Sequence, residues 1–206
     1  MVMAEATNHY FKHLGVSDGL SQVCIPSIYQ DELGAVWLGT TEGLNRYNGK
    51  DVKVFQPSES NHGLTNNEIN ELCGDKNGRM YIRSGNDLIK LDIYTEQFTC
   101  LRQKGVYGLF CKKDTLWVSC ADGIYYYTGQ GTELTFFARV QKGFVGRALY
   151  VDKETVWVVT RKYLVAISRE DPLRQEILLT LDKGNCILGD SSGNIWVGAW
   201  NGFYKF

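Results

Sequence analysis

The chain is short of proline, of histidine and of net charge, and each shortage excludes something. Three prolines in 206 residues leave no room for a proline-rich linker or stalk. The three histidines, His9, His13 and His62, lie near the N-terminus or in a polar loop without ligand spacing, so no metal is expected. With 22 Lys+Arg against 23 Asp+Glu, there is no basic field for a nucleic acid or an anionic membrane surface. No apolar run reaches the roughly 18 residues that a membrane span needs. The opening "MVMAEATNHY" has neither a basic start nor a continuous apolar stretch, so it does not read as a signal peptide. G-x-S-x-G, P-loop and H-E-x-x-H motifs are missing as well. No catalytic residue and no cofactor are therefore expected, and the chain does not read as an enzyme.

Cysteine is present, but not in CxxC pairs. Cys24, Cys73, Cys100, Cys111, Cys120 and Cys186 read as small hydrophobes in strands. Cys111 and Cys120 flank a hairpin turn near Lys113 and Asp114, a centring that places Cys111 opposite Leu116 and not opposite Cys120. Redox compartment stays open.

What the chain has in quantity is glycine, 22 residues, and aromatics, 13%, the composition of short strands joined by tight turns. It also repeats itself. "DELGAVWLGTTEGL" at residues 31–44 returns as "DSSGNIWVGAWNGF" at 190–203, about four steps of forty residues, and such a period marks a propeller or a solenoid. Anchoring each unit on an aromatic aligns Trp37, Tyr81, Trp117, Trp157 and Trp196, spaced 44, 36, 40 and 39 residues apart. The residues before the anchor are Val36, Met80, Leu116, Val156 and Ile195. Those after it are Leu38, Ile82, Val118, Val158 and Val197.

A strand that is apolar on consecutive residues is covered on both faces. Seven positions beyond the anchor come Leu44, Leu88, Ile124, Leu164 and Phe203, which mark the next strand. Ile28, Leu72, Leu149 and Ile187 mark the preceding one, and "VKVFQP", "EQFTCL" and "LTFFARV" supply a fourth. "DELG", "DKNG" and "DSSG" set Asp and Gly at the two ends of a tight turn, where Asp bonds downstream backbone and Gly tolerates positive φ. Asp31, Asp75, Asp152 and Asp190 share that turn, so a backbone-bonding role accounts for them without paired-carboxylate chemistry.

Each unit is thus a four-stranded antiparallel meander that must stack on its neighbours. The expected fold is an all-β propeller of about five blades. Each anchor aromatic fills the gap to the next blade, burying about 150–250 Å², or on the order of 4–6 kcal/mol at most before entropy. Residues 1–10 read as an extension and 11–206 as a single propeller domain. "YFKHL" sits where a fourth outer strand would be, and the fifth unit stops after its third strand. An N-terminal strand is therefore expected to close the last blade. The alternative is an open fragment of a larger, seven-bladed propeller.

"IYQDELGAVWLGTTEGLNRYNG" resembles the two-component regulator propeller repeat, and the lead-in "FKHLGVSDGLSQ" resembles the start of such sensor regions. The match is strong in the first unit, fair in the fifth ("IWVGAWNGF") and degenerate in the three between. The resemblance implies the periplasmic input region of a hybrid two-component histidine kinase that responds to polysaccharides. It also implies that signalling needs further repeats or domains of the same sensor.

In a propeller, the loops joining the second to the third strand open on one face. In that column the fourth unit replaces a Thr-Glu-Gly pattern with Arg161, Lys162 and Tyr163. The fifth introduces Trp200 and Asn201, and "GFVGR" adds Arg147 to the same rim. Such a set suits a sugar: the aromatic stacks on an apolar sugar face, and the cations meet hydroxyls, a uronate or a sulfate. Arg147, Arg161, Lys162, Tyr163, Trp200 and Asn201 are the candidate ligand residues and an oligosaccharide the candidate partner. The rival reading is a protein-interaction scaffold, for which "IYYYTG" (124–129) would be an exposed apolar rim. A propeller lyase or hydrolase ranks third.

Overall fold

A computed structural model describes residues 12–57 and 63–206. Each repeat unit folds into one antiparallel sheet, here called a blade. Blade 1 holds β1 (Ser27–Gln30), β2 (Val36–Thr40), β3 (Gly43–Tyr47) and β4 (Val52–Phe55). Blade 2 holds β5 (Ile69–Gly74), β6 (Arg79–Ser84), β7 (Asp87–Asp92) and β8 (Gln97–Arg102). Blade 3 holds β9 (Val106–Lys112), β10 (Thr115–Cys120), β11 (Gly123–Tyr127) and β12 (Thr135–Ala138). Blade 4 holds β13 (Gly146–Val151), β14 (Thr155–Thr160), β15 (Tyr163–Ser168) and β16 (Gln175–Thr180). Blade 5 holds β17 (Cys186–Gly189), β18 (Ile195–Ala199) and β19 (Gly202–Lys205). The fold is an all-β propeller with five blades, as the repeat predicts. Residues from the first strand of every blade line a central funnel of about 720 Å³.

The anchors sit between blades. Trp37 shares a core cluster with Ile69, Leu72 and Met80 of blade 2. Tyr81 shares one with Leu109, Leu116 and Val118 of blade 3, and Trp117 one with Leu149, Val156 and Val158 of blade 4. Trp157 packs against the cluster that holds Ile195 and Val197 of blade 5. Cooperative stacking of units that cannot bury their faces alone is what holds such a repeat array together.

That stacking stops at the two end faces. Leu44, Leu88, Ile124 and Leu164 are all 0% exposed, whereas Phe203, in the same column of blade 5, is 75% exposed. Leu188 on the same face is 64% exposed, and Ile28 on the opposite end, in blade 1, is 63% exposed. Among the described residues blade 5 has three strands. The expected closing strand around residues 10–14, like the boundary at residues 10 and 11, falls largely outside the described residues. Lys12 to Leu14 carry no strand, and the Lys12 ammonium donates to Tyr47 Oη of blade 1 at 3.1 Å.

The hairpin register pairs Cys111 with Leu116, as the turn centring predicts. One expectation fails. "IYYYTG" is not an exposed apolar rim: Ile124 and Tyr127 are buried and Tyr125 and Tyr126 half-buried. Its strand β11 lies between β10 and β12 and is covered on both sheet faces.

Candidate ligand-binding rim

The two faces of the arc differ in chemistry. On one lie the Asp-Gly turns. Asp31 Oδ1 accepts the amides of Leu33 and Ala35 at 3.0 and 2.8 Å, the backbone role expected of it. Gly34, Gly78 and Gly193 end their turns at φ of 86°, 81° and 85°, which glycine adopts at no steric cost. The second carboxylate oxygen has a task the sequence reading missed. Asp31 Oδ2 accepts the indole N–H of Trp37 at 2.7 Å, Asp152 that of Trp157 at 2.6 Å and Asp190 that of Trp196 at 2.9 Å. In blade 2, where the anchor is Tyr81, Asp75 pairs with Arg79 instead. In blades 1, 4 and 5 the turn therefore also fixes the anchor's orientation.

The bonds at Asp190 have a pH signature. The Trp196 indole and the Asn194 amide hold the Asp190 carboxyl at about 2, below the ordinary carboxylate value. A depressed pKa gives stabilisation that is present above the unfolded value and lost as pH falls through the folded one. The Trp196 indole proton resonance is therefore expected to titrate with a midpoint near pH 2 and to lose that step in Asp190→Asn.

The other face carries the candidate residues. Its loops are stitched by backbone bonds: Leu181 N to Lys162 O at 2.7 Å, Gly184 N to Arg161 O at 3.0 Å and Trp200 N to Asp182 O at 2.9 Å. Gly184 packs so closely that a Cβ there would lie 2.4 Å from the Thr160 carbonyl oxygen. This draws the loop between β16 and β17 onto the rim, and Lys183, at φ 49°, comes with it.

Two adjoining depressions result. One, of about 300 Å³, has Tyr107, Phe144 and Val145 with Arg147, Arg161 and Lys162. The other, of about 470 Å³, has Arg147 and Arg161 again, with Lys183, Asn185 and Trp200. Arg147 and Arg161 belong to both. The indole of Trp200 is 77% exposed, and the Lys183 ammonium lies 4.8 Å from its ring centroid, within cation–π range. Among the described residues, no ion pair involves Arg147, Arg161, Lys162 or Lys183.

Four of the six candidates, Arg147, Arg161, Lys162 and Trp200, thus border one continuous surface. Tyr163 does not line it; its ring packs on Phe144 at 4.7 Å and supports the wall from behind. Asn201 donates to Tyr204 Oη at 3.0 Å, away from both depressions. Lys183, Tyr107, Phe144 and Asn185 were missed. Three of them lie outside the strand columns, in loops or beside them, where the repeat offers no register to compare.

Within the funnel, Arg83 pairs with Glu71 at 3.4 Å, and Glu71 also accepts the Leu109 amide of the next blade at 3.1 Å. Burial pushes the Glu71 carboxyl up to about 7, with Arg83 and the Leu109 amide opposing. The register shift between Ile69 and Glu71 lies opposite Arg83, a strand irregularity that blade 1, with Gly39 two residues after its anchor, does not have.

Residues 19–42 match the two-component regulator propeller family. A 53-residue stretch is 40% identical to histidine kinase P4 of Formosa agariphila, covering 26% of this chain and 4% of the kinase. The fold is similar to that of two Bacteroides thetaiotaomicron proteins. One is described as the extracellular domain of a hybrid two-component system, with TM-score 0.82 and 23% identity over 95% of this chain and 30% of that one. The other is described as the extracellular domain of a one-component system, with TM-score 0.78 and 20% identity over 95% and 31%. The chain therefore spans less than a third of the length of each of these three proteins.

Proposed function

Because the chain carries a two-component regulator propeller repeat at residues 19–42, we propose that it is the propeller input region of a sensor acting outside the cytoplasmic membrane. Its ligand is an oligosaccharide bearing uronate or sulfate groups, bound without catalysis. One observation carries this reading. Arg147, Arg161 and Lys183 converge beside an exposed Trp200, and among the described residues none of the three is in an ion pair. Guanidinium groups bind carboxylate and sulfate oxygens through paired, charge-assisted hydrogen bonds, and an indole face accepts the apolar face of a pyranose.

The test is a thermal melt with oligogalacturonate, with a sulfated carrageenan fragment and with neutral cellotetraose. An acidic oligosaccharide near a hundred times its Kd should raise the Tm by about 5 °C, and Trp200→Ala should cut the rise to about half at the same ligand concentration. A Tm unmoved by glycans of every class contradicts the reading.

A second reading draws on the end faces. Phe203 and Leu188 on blade 5, and Ile28 on blade 1, are the side chains that neighbouring blades would cover, and further repeats of the same sensor are the partner we propose for them. A chain extended by flanking repeats should then melt higher and aggregate less than this one.

A further inference from the structure

The register of blades 2 and 3 places two cysteines on opposite sides of one interface. In blade 2, Cys73 pairs with the anchor Tyr81 across the β5–β6 ladder. It therefore shares the anchor's face, which looks toward blade 3. In blade 3, Cys111 pairs with Leu116, the residue before the anchor Trp117, and so points the other way, back toward blade 2. Both thiols pack against the same cluster, around Tyr81, Leu109 and Leu116. Their Sγ atoms are 2.7 Å apart, closer than two unbonded sulfurs normally rest. Cys24 and Cys186 are exposed, Cys100 packs against the cluster shared by blades 1 and 2, and Cys120 is buried in the same sheet as Cys111.

We infer that Cys73 and Cys111 form a disulfide that staples blade 2 to blade 3 when the chain folds in an oxidising compartment. The chemistry is ordinary thiol–disulfide exchange. Two S–H bonds and the S–S bond of an external disulfide break, one S–S bond forms within the chain, and the two protons and two electrons pass to the external sulfurs, which leave as two thiols. Once folded, the Cys73 thiol is held in its neutral form, because burial pushes it well above the ordinary thiol value and Cys111 reinforces the shift. The bond therefore forms most readily during folding, before the interface closes. It joins residues 38 apart in sequence, long enough for the cross-link to restrict the unfolded chain substantially.

The proposal rests on the extracytoplasmic reading only for the compartment in which the bond would form. The test is made in a glutathione redox buffer and is independent of that reading. Reduced, unfolded protein is refolded with glutathione disulfide and glutathione, free thiols are alkylated, and the bonds are mapped by mass spectrometry without reduction. The expected result is a Cys73–Cys111 link with the remaining cysteines alkylated, and a Tm that falls by about 5–10 °C on reduction. The Cys73→Ala/Cys111→Ala variant should melt alike with and without reductant. If refolding fails, the folded reduced protein is treated with glutathione disulfide and mapped in the same way. All six thiols alkylated in both treatments, or a link elsewhere that leaves Cys73 and Cys111 free, overturns the proposal.

Discussion

Trp37→Ala is expected to cost the fold about 3–5 kcal/mol, the range for truncating a fully buried aromatic, and to lower the Tm by about 10 °C in a chain of this size. Trp196→Ala, the same column in blade 5, is expected to cost only about 1 kcal/mol. The difference is one of neighbours. Trp37 is completely buried against blade 2. Trp196 is half-buried, touching Phe203 of its own blade at 5.9 Å and the Lys205 ammonium at 5.2 Å. Both indoles donate to a turn aspartate, so the lost hydrogen bond is common to the pair and cancels in the comparison. Equal costs would mean that blade 5 is covered as fully as blade 1, and they would refute the arc with uncovered end faces. Denaturant or thermal unfolding of the two variants decides it.

The second large effect concerns binding. Arg147 borders both depressions, so Arg147→Glu replaces a shared donor with a repelling carboxylate. Affinity for an acidic oligosaccharide should fall by more than about 100-fold. A charge-assisted hydrogen bond contributes roughly 1.5–3 kcal/mol, and the reversed charge adds repulsion. Trp200→Ala, which removes stacking and leaves the cations, should cost about tenfold. Lys162→Ala, at the edge of a single depression, should cost less than either. A variant series in which Lys162 dominates would move the site toward Tyr107 and Phe144. Calorimetric titration gives all three numbers.

The blades were legible in the sequence because burial on both faces writes itself into consecutive columns. The three apolar positions at and around each anchor recur at intervals near forty residues. The candidate rim was legible for a related reason: Arg161 and Trp200 stand in a column that elsewhere holds Thr41, Gly85 and Ala121, so the departure shows. Lys183 and Phe144 were not visible in this way. They lie on the connections between blades, whose lengths vary, and only the folded chain brings their loops against Thr160 and Tyr163. Tyr163 was assigned to the surface by its column, yet alternation turns its ring onto Phe144.

The indole bonds show a different limit. An Asp six residues before the tryptophan in "DELGAVW" and "DSSGNIW" is a repeated spacing, but the turn's own need for a carboxylate hid the second role. The cysteine pair was within reach. Cys73 falls on the anchor's parity and Cys111 on the opposite one, and parity across adjacent blades decides which side chains meet. Reading the hairpin alone, Cys111 against Cys120, looked for a partner within the sheet when the partner lay in the next one.

The most direct measurement is a proton–nitrogen correlation spectrum of the five tryptophan indoles, recorded while oligogalacturonate or the sulfated carrageenan fragment is added. The account predicts that the Trp200 signal moves and saturates with one of them, while those of Trp37, Trp157 and Trp196, tied to Asp31, Asp152 and Asp190, stay in place. A Trp200 signal that stays fixed with both, or a shift led by Trp196 and the face it shares with Phe203, would contradict a sensing rim at Arg147, Arg161 and Trp200.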